Sequence, residues 1–148
     1  MKPPKANFVS LDTAKLAKEK GCYYEANSYY VEYLITKKSD NPSFRMRKGE
    51  IGIEHGYIKN NIVGDYSCES YTCYARLTLS DLQEWLIKND IIVLVDFILA
   101  EQTYVCRLVC KENSGWETYV VSSSKNSKYY NDALEIGLVE GLKLHKIK

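Results

Sequence analysis

The sequence predicts a single α+β domain, an antiparallel β-sheet with helices packed against it. Three observations predict it. Helical spacing of apolar residues marks three stretches, one near each end and one in the middle. Strand texture fills the region between residues 22 and 77. The C-terminal half then runs helix, three strands, helix, with turn signals short enough to keep neighbouring strands antiparallel. The chain has 148 residues, the usual size of one domain. Such a domain buries roughly two-thirds of its unfolded surface and needs no disulfide or metal to fold.

Residues 1–7 read as a flexible lead, because Pro3-Pro4 blocks regular pairing. Ser10 is a candidate N-cap, Leu11, Ala14 and Ala17 recur at helical spacing, and Gly21 supplies a stop. These place the first helix at residues 11–20. The run Tyr29-Tyr30-Val31-Glu32-Tyr33-Leu34-Ile35-Thr36 is rich in β-formers, and Asp40-Asn41-Pro42 turns the chain after it. Residues 50–58 form a second strand whose Gly52 and Gly56 signal a bulge or a close backbone approach. Residues 62–76 hold one strand and a long loop.

In the C-terminal half, Ser80 and Gln83 have capping-box spacing, and Leu82, Trp85 and Leu86 make an apolar stripe on the second helix, which Asn89-Asp90 ends. Residues 91–99 are apolar on both faces except Asp96, the pattern of a central strand. Tyr104, Cys106, Leu108 and Cys110 alternate with Val105, Arg107, Val109 and Lys111. Asn113-Ser114-Gly115 signals a hairpin, and residues 116–122 are the returning strand. The last helix, residues 129–145, buries Ala133, Leu134, Gly137, Leu138, Gly141 and Leu142. Its small residues at 133, 137 and 141 let it lie close on the sheet, and Lys143 and His145 suit its negative end.

Net charge is +1, so no global field draws the chain to nucleic acid or anionic membrane. The distribution is uneven. Lys2, Lys5, Lys15, Lys18 and Lys20 make the start basic, and Asp65, Glu69, Asp81, Glu84, Asp90, Asp96 and Glu101 make the middle acidic. Five cysteines, an odd number, and no leader-like apolar run predict free, mostly buried thiols in a reducing cytoplasm. The chain has 13 tyrosines. Their large rings and polar tips suit half-buried strands first and a ligand-facing patch second.

Few constellations carry chemistry. Cys106 and Cys110 lie on one face of one strand, about 13 Å apart at ~3.3 Å per residue. They cannot chelate one ion without breaking it, so no metal site is expected. His55 stands beside Glu50 and Glu54, but no nucleophile motif or phosphate loop accompanies it. Arg45, Arg47 and Lys48 are the densest basic cluster, with Tyr57 and residues 29–33 supplying aromatic rings. Guanidinium forks bind phosphate and rings stack bases, which makes these four residues the candidate ligand site. The competing reading is a charged hairpin that resists edge pairing. The helix–three-strand–helix order also resembles double-stranded RNA-binding domains. There a lysine cluster opens the last helix; here only Lys125 and Lys128 stand in that region, and Asp81 and Glu84 make the preceding helix acidic.

Two segments carry a further resemblance. Thr78-Leu79-Ser80-Asp81-Leu82-Gln83-Glu84-Trp85-Leu86 and the run Asp132-Ala133-Leu134-Glu135-Ile136-Gly137-Leu138-Val139-Glu140-Gly141-Leu142-Lys143-Leu144 fit "T-x-S-x-L-Q-x-W-L" and "A-L-E-x-G-L-x-E-x-L-K-L". Together with residues 8–21 they resemble an uncharacterised family of small proteins common in Bacteroidetes phages and prophages. The resemblance implies a non-enzymatic accessory protein that binds a host component in the host cytoplasm, with an anti-defence role in view. The alternative is a nucleotide or nucleic-acid binding module using the basic and aromatic segment. No cofactor and no membrane partner is expected, and a homo-oligomer is left open.

Overall fold

The computed structural model describes residues 7–22, 25–33, 51–59, 71–121 and 126–146. The fold class is α+β, with helices and two antiparallel three-stranded sheets. The chain clusters into two compact units. The lead at residues 1–6 lies outside the described residues.

The smaller unit, residues 10–76, holds α1 (Leu11–Glu19), β1 (Glu25–Tyr33), β2 (Ile51–Lys59) and β3 (Tyr71–Ala75). Ser10 caps α1, its Oγ accepting from the Thr13 N–H at 3.3 Å. Gly21, at φ +87°, ends it in a left-handed turn. The Gly21 N–H reaches the Lys18 carbonyl and the Cys22 N–H reaches the Ala17 carbonyl, which satisfies two carbonyls the helix leaves open. The strand order is β2-β1-β3. The ladder between β1 and β2 shifts register between Ala26 and Ser28, opposite Gly56 and Tyr57, so the bulge falls at one of the flagged glycines.

The larger unit comprises residues 1–9 and 77–148. It contains α2 (Leu79–Lys88), β4 (Ile91–Ile98), β5 (Thr103–Glu112), β6 (Gly115–Val120) and α3 (Tyr130–Leu144). The sheet order is β4-β5-β6. Helix α3 packs on β4 and β5, and α2 packs on β4 and α3. The core is built from Leu82 and Leu86 of α2, Ile91 and Val93 of β4, Cys106 and Leu108 of β5, and Leu134, Leu138 and Leu142 of α3. All six α3 residues expected to be buried are buried.

Details differ from the sequence reading, the start of β1 at Glu25 and not Tyr29 among them. The cap of α2 is Thr78, not Ser80. Thr78 Oγ1 accepts from the Asp81 N–H at 3.0 Å, and the Asp81 carboxylate accepts from the Thr78 N–H at 3.1 Å. Pairing with the N-terminal segment settles this start. Phe8 bridges Thr78, and the Leu79 N–H donates to the Asn7 carbonyl, which holds residue 78 extended. Strand β4 is an edge and β5 is central. Its second apolar face is only half covered, with Leu94 38% exposed. Trp85, on the apolar stripe of α2, is half-buried, its ring edge-on to His145 at 5.0 Å.

Candidate functional site

Of the four residues singled out as a ligand site, Arg45, Arg47 and Lys48 lie outside the described residues. Tyr57 lies on β2 in the bulged segment, near His55, which stands opposite Ser28 in the ladder.

The smaller unit assembles a different basic and aromatic group. On β1, Tyr29 and Val31 are buried, opposite Ala75 and Cys73 of β3, which are buried too. Alternation then turns Tyr30 and Tyr74 to the other face, where they are direct cross-strand partners and half-buried. Arg76 follows β3. Its N–H donates to the Ser28 carbonyl at 2.9 Å, and its guanidinium lies 5.6 Å from the Tyr30 ring centre. Lys15 and Lys18 are three residues apart on α1, so they share a helix face. Their ammonium groups lie 5.5 Å and 5.1 Å from the Tyr74 ring centre.

Each cation has a further anchor. Lys15 pairs with Glu32 at 2.6 Å. Lys18 donates to the Cys73 carbonyl at 3.1 Å. Arg76 donates to Ser28 Oγ at 3.4 Å. The Glu32 carboxylate bonded to Lys15 pushes that ammonium's pKa up. Burial pushes the Lys18 pKa down. Burial, aided by the Glu32 charge, pushes the Tyr74 phenol up, so it stays protonated and able to donate. Among the described residues, three cations against the carboxylates of Glu32 and, more weakly felt, Asp12 leave the face positive. Such a face can hold a phosphate with its ammonium and guanidinium donors and stack a planar ring on tyrosine.

The sequence contained half of this signal. The tyrosine run at 29–33 and the basic α1 were visible. Tyr74 and Arg76 were not, because only the β1–β3 register brings them beside Tyr30.

The larger unit offers a hollow of about 440 Å³ lined by Lys88, Asp90, Lys111, Glu112, His145 and Lys146, among others. The C-terminal ends of α2 and α3 meet there. Their carbonyl dipoles favour cations and disfavour anions, which accounts for the lysines without a ligand. The element order α2-β4-β5-β6-α3 is the one noted for RNA-binding domains. Lys128 is exposed at the entry to α3, while Lys125 lies outside the described residues. On α2, Glu84 pairs with Lys88 at 3.3 Å, so that helix offers a mixed surface rather than a phosphate grip.

Cys22, Cys73, Cys106 and Cys110 are buried. Among the described residues no group of His, Cys, Asp and Glu is arranged to hold a metal ion. No described helix is long and apolar enough to cross a membrane. No protein-family model, curated protein or solved structure matches the chain.

Proposed function

We propose that the protein acts by binding and not by catalysis. Its smaller unit holds a phosphate-bearing ligand, a nucleotide or a short single strand, on the Tyr30–Tyr74 face. One observation carries this reading: two cross-strand tyrosines lie under Arg76, Lys15 and Lys18. Rings and donors of this kind are what a base and its phosphate require. Arg45, Arg47 and Lys48, with Tyr57, remain the further donors that the sequence offers for the same ligand. In the setting implied by the phage-family resemblance, the protein is an accessory factor in the cytoplasm of the host. Holding a host nucleotide or nucleic acid away from its users is then an anti-defence role.

The test is calorimetry with nucleoside triphosphates and short single-stranded oligonucleotides at two salt concentrations. Tyr74→Ala and Arg76→Ala should each weaken binding about tenfold, the loss of one stacking or charge contact of ~1–3 kcal/mol. A single strand loses affinity steeply with salt, because each neutralised phosphate releases counterions. A nucleotide shows a milder slope and a fixed stoichiometry. An Arg45→Ala/Arg47→Ala double variant measures what that segment adds. If the wild-type protein binds neither ligand class, the phosphate reading falls and a host protein takes its place as the partner.

A further inference from the structure

Strand β6 is one edge of the β4-β5-β6 sheet, and every residue from Gly115 to Val120 is exposed. Its free side has a defined orientation. The Val121 N–H donates to the Cys106 carbonyl at 3.0 Å. Bonded and non-bonded pairs alternate along an antiparallel ladder, so Tyr119 with Leu108 and Glu117 with Cys110 are the next bonded pairs. The N–H and C=O groups of Trp116, Thr118 and Val120 therefore point away from β5.

Sheet edges in proteins are usually blunted by lysine, proline, a bulge or a covering element. The opposite edge is treated in this way. Gln83 of α2 donates to the Val93 carbonyl of β4 at 3.1 Å, so a helix side chain covers that edge. Among the described residues strand β6 has no lysine, proline, bulge or cover of this kind. Its ladder to β5 runs unbroken from Val120 to Gly115, and Trp116 and Val120 are 52% and 67% exposed.

We propose that β6 pairs antiparallel with β6 of a second copy of this chain, across a twofold axis at Thr118, joining two three-stranded sheets into one. The side chains of β6 select this register. Residues directly opposite in an antiparallel pair share a face, so a twofold axis must pass through a residue. Centred on Thr118, the seam sets Trp116 of one copy against Val120 of the other, Thr118 against Thr118, and Glu117 against Tyr119. Aromatic against β-branched and threonine against threonine are favoured cross-strand pairs. The same register satisfies the outward N–H and C=O groups of Trp116, Thr118 and Val120 in both copies. An axis through Glu117 would oppose two carboxylates, which is unfavourable. An axis through Tyr119 would leave Trp116 beyond the paired segment.

The seam is short, below the about 1,600 Å² of a standard interface, so the dimer dissociates on dilution. No residue of the ligand face takes part in the argument for it. The experiment is sedimentation equilibrium of the full chain from micromolar to several hundred micromolar, with circular dichroism to verify folding. Wild type should show a concentration-dependent monomer–dimer equilibrium. Thr118→Lys places two ammonium groups across the axis, and Thr118→Glu two carboxylates. Each should raise the dissociation constant at least about tenfold. Mixing the two variants should restore dimers through opposite charges. A wild type that stays monomeric throughout, folded variants that dimerise as wild type does, or a mixture that stays monomeric would each overturn the proposal.

Discussion

Replacing Gly137 with alanine puts a methyl group where α3 meets the sheet. A Cβ built there lies 2.6 Å from Val93 Cγ1 and 2.9 Å from Cys106 Sγ. Neither neighbour yields easily. Val93 is a β-branched side chain 1% exposed on β4, and the Cys106 thiol donates to the Ala133 carbonyl. The helix must lift off the sheet or the strand must shift. Overpacking of this severity costs about 3 kcal/mol, the upper part of its usual range. Alanine returns about 1 kcal/mol of helix propensity. The expected net loss is about 2 kcal/mol, a fall in Tm of about 4–8 °C for a chain of this size. Gly141 is the control. A Cβ there meets Leu86 Cδ1 at 3.2 Å and Ile91 Cγ2 at 3.3 Å. The first is the tip of a flexible side chain, so Gly141→Ala should fall within about 0.5 kcal/mol of wild type. Both tryptophans, Trp85 and Trp116, belong to the larger unit. Tryptophan fluorescence during urea unfolding therefore reports on the unit that carries both substitutions. If Gly137→Ala proves as stable as Gly141→Ala, the close approach of α3 to β4 and β5 is wrong.

Three further outcomes are expected. Thr78→Ala should lower stability by about 1 kcal/mol, the usual worth of a helix cap, while Ser80→Ala should change it little; the same urea titration compares them. Leu138 is fully buried, and Leu138→Ala should cost about 2–5 kcal/mol; a loss as small as that of a surface change contradicts its burial. Burial raises the Cys106 thiol pKa above its ordinary value of 9.0. An acid whose folded pKa lies above its unfolded one stabilises the fold fully below the unfolded pKa, and that stability is lost as pH rises through the folded value. Unfolding free energy should therefore fall as pH rises from about 8 past 9, and Cys106→Ala should flatten that slope. A slope identical in the variant assigns the pH dependence to other groups.

The candidate site was only partly legible because its residues come from three separate elements. The basic face of α1 and the tyrosines near residue 30 are local patterns, readable from spacing alone. Their meeting with Tyr74 and Arg76 depends on the β1–β3 register, which no local pattern specifies. The run at Arg45 and Arg47 is the densest cationic cluster in sequence, and proximity in sequence is what a sequence displays. A binding face needs proximity in space, and Lys15 and Lys18 have it, three residues apart on one face of α1 and both beside the Tyr74 ring.

By itself the sequence determined the features set by interactions within a few residues. Gly21 ends α1 because glycine enters the left-handed region without strain. The buried face of α3, from Ala133 to Leu142, follows from the 3.6-residue period. The alternation of β5 and the hairpin at Gly115 follow from the pleat and from glycine's freedom at positive φ. Only the tertiary structure decided how strands and helix starts find their partners. Strand β4 lies at the edge although its sequence is apolar on both faces, because a strand's pattern records which faces meet apolar surroundings and not which strands lie beside it. Helix α2 begins at Leu79 because Thr78 is held extended against Phe8, a residue brought from the far end of the chain. Backbone groups pair by register and geometry that are the same for every residue type, so the choice among pairings rests on the packing of the whole unit.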